Sequence, residues 1–221
     1  MNSFFQLDGP FMRVMTDVMN LIILNVLTLI FSIPIVTAGA ALTAMHYILM
    51  QMGEQEDGRI IATFWEQFKL NLKTSTLPWL LVLCVGVFLF IDFRLINVSG
   101  NRYLLIPIYA CAVIFMMIVV WLFPLMARFE NPCMASLRNA VLCAIGQMPR
   151  SLCMVAITVL IPYFFIEAVS LFPLALFMGL SLPAYLCMFI YRGPIRKLVE
   201  HFREQHPDAE PDAEPGEESG E

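Results

Sequence analysis

The chain has 221 residues, of which 59% are hydrophobic and only 14% charged, with a mean hydropathy of +0.76. An ordinary soluble domain holds about 45–50% and about 25%, so the composition excludes a soluble enzyme or nucleic-acid-binding domain and points to an all-α, polytopic helical membrane protein. Eight of the 18 acidic residues lie at or after Glu204; residues 1–203 therefore carry 13 basic against 10 acidic side chains, net +3, and the overall charge of −5 comes from the tail.

Residues 1–203 read as a helical membrane domain. Phe4 to Thr16 places Phe4, Phe5, Phe11 and Met15 around Arg13, an amphipathic pattern. No short apolar core with a cleavage site precedes the first long run, so the N-terminus is expected to be retained. Val18 to Gly53 then runs for 36 residues without a formal charge. As one straight helix it would measure about 54 Å, too long for a bilayer. Pro34 disfavours helical geometry at Ile33 and Gly39 permits a reversal, so the run divides into Val18–Val36 and a shorter Ala40–Met52, the second a short span or a re-entrant helix.

This broken run holds the candidate functional residues. Asn20, Asn25, Thr28 and Ser32 share much of one helix face, where they can bond to a neighbouring helix. Thr37 and Gly39 sit at the break, and broken membrane helices expose backbone groups that can hold a ligand; a plain connecting turn uses the same residues. His46, seven positions beyond Gly39, can titrate or bond a backbone carbonyl. Asn25, Thr37, Gly39 and His46 are thus the candidates for a substrate path.

Downstream, Ile60 to Thr76 sets Ile61, Phe64, Phe68 and Leu72 on one face with Glu66, Lys69 and Lys73 away from it, as in a helix lying in the interface. Leu77–Ile91, extended past Asp92 and Arg94, is a span, and Tyr103–Ala127 crosses fully with 25 uncharged residues. Pro132 to Met148 repeats the interfacial pattern with Met134, Leu137, Val141 and Ile145. Ser151–Ile166 and Ala168–Tyr191 complete about six membrane helices, with Glu167 expected in a turn between them. The order suggests three repeats of one interfacial and two membrane helices. Trp65, Trp79 and Trp121 fall near predicted boundaries, as in an aromatic belt. Residues 204–221, rich in Pro, Gly and carboxylates, are expected to be a disordered acidic cytoplasmic tail.

Six dispersed cysteines form no CxxC pair, and no metal site or cofactor is expected. Enzyme signatures such as GxSxG, HExxH or a glycine-rich phosphate loop are absent from the sequence, and the expectation is a protein that is not an enzyme. If the first run crosses twice, eleven basic residues lie on the cytoplasmic side against two, Arg94 and Arg102, outside; if once, the score is ten to three. Both termini are expected inside.

The run LNVLTLIFSIPIVTAGAALTAMHYILMQM, then EQEDGR and TFWEQFKLNLKTS, resembles the YesL-like family of bacterial integral membrane proteins of unknown function. The shared pattern is an Asn-containing first helix, SxPxVTxG over Ser32–Gly39, and Phe-x-x-x-Phe-Lys-x-Asn at Phe64, Phe68, Lys69 and Asn71. The resemblance covers residues 4 to 200, with Ala40 standing where members often have proline. It implies no activity and no functional residues. It does imply a place in the bacterial plasma membrane and an association with carbohydrate-uptake ABC transporters. The expected role is a non-enzymatic accessory or regulatory partner of carbohydrate uptake, touching the lipid bilayer and a carbohydrate ABC transporter or membrane sensor. The alternative is a small secondary transporter or channel with its site at the broken run.

Overall fold

Apolar runs of this length must satisfy their backbone polar groups internally in a bilayer, which an α-helix does within one segment. The structure, a computed structural model, describes residues 10–54, 59–99, 102–129, 133–167 and 176–205, and among these every regular element is helical. Helix α1 is Pro10–Phe31 and α2 Ala38–Glu54, joined through a 3-10 turn at Ile35–Thr37. Then come α3 (Ile60–Ser99), a 3-10 turn at Arg102–Leu104, α4 (Leu105–Arg128), α5 (Cys133–Gly146), α6 (Met148–Glu167) and α7 (Ser181–Gln205). Val14–Phe31, Ile35–Met52, Ile60–Val98, Leu105–Arg128 and Met148–Glu167 are each long and apolar enough to cross a membrane. The sixth expected stretch, Ala168–Tyr191, is described from residue 176 onward, where it enters α7.

Helix α2 is the most enclosed element. It packs against α1, α3, α4 and α7, and Ala40, Ala41, Ala44 and Leu49 have no exposed surface. Lipid offers no hydrophobic drive for helices to associate, so close van der Waals contact has to supply it, and the alanine-rich face lets neighbouring backbones approach. Around α2, Leu21 and Leu24 of α1, Phe64 and Phe68 of α3 and Ala184 of α7 form one apolar cluster. A second joins Trp121 and Leu125 of α4, Ala140 and Ala144 of α5, Met154 of α6 and Met188 and Tyr191 of α7.

Ile60–Thr76 does not stand as a separate interfacial helix. Helix α3 continues through it for 40 residues with Pro78 inside, about 60 Å at 1.5 Å per residue. Proline costs one backbone hydrogen bond, a loss that neighbouring side chains and helices can absorb in a membrane protein. The face expected to lie on the membrane is divided: Phe64 and Phe68 are buried, whereas Ile61 is exposed. In α5 the buried side is Ser136, Ala140 and Ala144, and the large residues Met134 and Ile145 point outward. Small residues take the protein-facing side because they permit the closer approach. Trp121 is no belt residue either. It is fully buried, its indole donating to the Ser151 hydroxyl at 2.8 Å.

Glu167 is the last residue of α6 and exposed, in keeping with a turn beyond it. Asp92 and Arg94 lie two positions apart on α3, a spacing that does not let helix side chains face each other. Helix α7 continues to Gln205; residues 206–221, most of the acidic tail, lie outside the described residues, as do residues 1–9 of the first amphipathic stretch.

Candidate functional site

Pro34 has an extended backbone, φ −74° and ψ 109°, and ends the helical path of α1. Carbonyls at a helix C-terminus have lost their intrahelical partners, and in hydrocarbon each unsatisfied group costs several kcal/mol. The break answers this locally. The Thr37 hydroxyl lies 2.8 Å from both the Phe31 and the Pro34 carbonyl oxygens, and the Thr37 N–H donates to Pro34 O at 2.9 Å. The Trp79 indole N–H donates to Ile35 O at 2.6 Å. Ser32, the other hydroxyl at the break, contributes its backbone N–H to Thr28 O.

Gly39 opens α2 against the middle of α3. A Cβ there would lie 2.4 Å from Trp79 Cβ and 3.0 Å from Ser75 O, so the residue is glycine because the Trp79 side chain and the Ser75 carbonyl of α3 occupy the space. One turn on, the Thr43 hydroxyl donates to Gly39 O at 2.9 Å and lies 3.0 Å from the buried Ser75 hydroxyl. His46 follows on the same stripe of α2. Its Nδ1 is 3.2 Å from the Tyr191 hydroxyl, and its ring stacks on Phe123 with centroids 6.4 Å apart and planes 4° apart.

Asn25 is fully buried and faces α7. Its Oδ1 accepts the N–H groups of Leu180 at 2.9 Å and Ser181 at 3.0 Å, and its Nδ2 donates to Leu176 O at 2.8 Å. Those N–H groups open α7 and have no intrahelical acceptor, so Asn25 caps the helix from α1. Pro183 within the first turn lacks a donor altogether, which reduces what the cap must cover. Tyr185 adds a second tie, donating to Asp17 Oδ2 of α1 at 3.4 Å.

Thr37, Gly39 and His46 thus lie along one surface of the break and α2, and Asn25 lies apart from them on α1. The sequence reading missed Trp79, Ser75 and Tyr191 as their partners, for only the pairing of α2 with α3 and α7 brings these together. Among the described residues Asn20 bonds no neighbouring helix. It lines a groove of about 580 Å³ between α1 and the start of α3, which none of the four candidates lines.

Described residues that are helical in every regular element, with several helices able to span a bilayer and polar side chains such as Asn25, Thr43 and His46 bonded from helix to helix, define an all-α polytopic membrane protein. Residues 21–93 match the family described as "Protein of unknown function, DUF624". The chain is also similar to the uncharacterized protein YteU of Bacillus subtilis (strain 168), 25% identical over 201 residues that cover 87% of this chain and 88% of that one. It is 29% identical to the uncharacterized protein YesL of the same organism over 119 residues, 52% of this chain and 57% of that one. These matches bear out the resemblance to the YesL-like family of unknown function. No solved structure matches.

Proposed function

We propose that the protein is a non-enzymatic accessory protein of the bacterial plasma membrane, with both termini cytoplasmic, that assists or regulates carbohydrate uptake by contact with a carbohydrate ABC transporter or membrane sensor. The observation that carries the accessory role over a transport role is the use made of the polar residues at the broken run. Thr37 closes the turn, Gly39 is filled by Trp79, Asn25 caps α7 and His46 packs between Phe123 and Tyr191. Each serves the packing of the bundle. The link to carbohydrate comes from the family resemblance, and the orientation from the basic residues.

Affinity capture from native membranes of cells induced with sugar, in mild detergent, tests the reading. Enrichment of a sugar-transport or sugar-sensing membrane protein is expected, and its failure under induction overturns the proposal. Reconstitution in liposomes tests the rival. No flux of sugars or ions is expected, whereas flux abolished by Thr37→Val would make the break a transport site.

A further inference from the structure

The groove between α1 and the start of α3 carries features that the accessory role leaves unused. Ile23 of α1 with Ile61 and Trp65 of α3 gives it an apolar wall, and Asn20 and Arg59 add polar groups. Ile61 is 62% and Trp65 45% exposed, so protein does not cover this wall among the described residues. The groove is wide open, with a volume of about 580 Å³, so an occupant lies along it and is not enclosed. A second cation stands beside it: the Lys69 ammonium lies 5.5 Å from the centroid of the Trp65 ring. Arg59 and Lys69 are both exposed, and among the described residues neither forms an ion pair with Glu66, the acid on the same stretch.

A tryptophan beside basic residues is the arrangement expected where a membrane helix meets lipid headgroups. Basic pockets between membrane helices bind anionic headgroups, and a guanidinium suits phosphate through its planar fork of donors. We propose that the groove seats one anionic phospholipid, its phosphate against Arg59 and the Asn20 amide and an acyl chain along Ile23, Ile61 and the Trp65 ring. The charge of Arg59, the cation that lines the groove, selects the headgroup, and the apolar wall separates a lipid from a free phosphate ion.

Native mass spectrometry of the full chain in mild detergent, titrated with phosphatidylglycerol or with phosphatidylcholine of identical chains, tests this. One phosphatidylglycerol is expected to be retained about five-fold more strongly than phosphatidylcholine, the size of one cation's attraction near a membrane surface. Arg59→Gln should abolish the preference. Trp65→Ala should lower retention of both lipids. Arg196→Gln, on an exposed side chain of α7 that pairs with Glu200, should leave the preference intact. Equal retention of the two lipids by the parent chain would mean annular lipid only and overturns the site. An undiminished preference in Arg59→Gln overturns it too, as would a second copy of the chain held in place of the lipid.

Discussion

Asn25 stands 155 positions before Leu180 in the sequence, yet its amide oxygen takes two of the N–H groups that open α7. Removing the amide strands both donors in a buried site, where an unsatisfied polar group costs about 1–3 kcal/mol. Asn25→Ala should therefore lower the melting temperature in detergent by roughly 5 °C, at about 2–4 °C per kcal/mol for a chain of this size. A melting curve that matches the parent's would show that Asn25 is no cap. Gly39 makes the opposite kind of demand. Its environment requires the absence of a side chain, since Trp79 and Ser75 already occupy the Cβ position. Gly39→Val has to push α2 off α3, at a cost of about 1–3 kcal/mol by the usual overpacking penalty. Pro34→Ala leaves the Thr37 and Trp79 contacts in place and should melt nearer the parent. The reverse ranking would show that proline organises the reversal. Conformational freedom was the sequence-based argument for Gly39, and the structure replaces it with close helix contact.

Helix α3 is more than twice as long as α2, 40 residues against 17, and the two meet only along part of that length. The tip of the α1–α2 hairpin touches α3 through Phe31 on Phe64, Trp65 and Phe68, Ile35 on Trp79, and Gly39 beside Ser75 and Trp79. Beyond Trp79, α3 pairs with α4, Phe93 against Tyr109 at 5.9 Å and Gly86 beside Phe115. The tip is also apolar and uncovered, with Ile33 77% and Ile35 65% exposed. A turn of that composition whose carbonyls are bonded internally is suited to hydrocarbon. In a cysteine-free background, a cysteine replacing Ile35 should therefore resist an impermeant maleimide from either side of the membrane. Rapid labelling from one side would put the turn at that surface. The break itself was legible in the sequence because Pro34 disfavours helical geometry before it and 36 uncharged residues are too long for one straight crossing helix. Its partners were not, since Trp79 and Tyr191 lie far along the chain and periodicity says which face is apolar without saying what meets it. The same limit explains α5, where Leu137 and Val141 lay on the expected face but the alanines beside them decide which side approaches α4.

Burial across the molecule is uneven. In α3 none of residues 83–98 is buried, and in α4 burial is confined to Met117 and Trp121–Ala127. Phe88, Phe90, Ile106, Tyr109, Tyr163 and Phe164 project from the free halves of α3, α4 and α6, as apolar side chains do where acyl chains are the solvent. Those halves lead to Ser99, to the start of α4 and to Glu167. The basic residues gather toward the other end: Arg59 just before α3, Lys69 and Lys73 on its first half, Arg128 closing α4, Arg138 on α5, and Arg150 near the start of α6. The proposed cytoplasmic orientation rests on this gathering of basic residues. In intact cells with a cysteine-free background, a cysteine at Ser99 should react with an impermeant maleimide, and one at Ser219 should react only after permeabilisation. Protection at Ser99 combined with reaction at Ser219 would invert the protein in the membrane, and would move Arg59 and its groove to the outer leaflet with it.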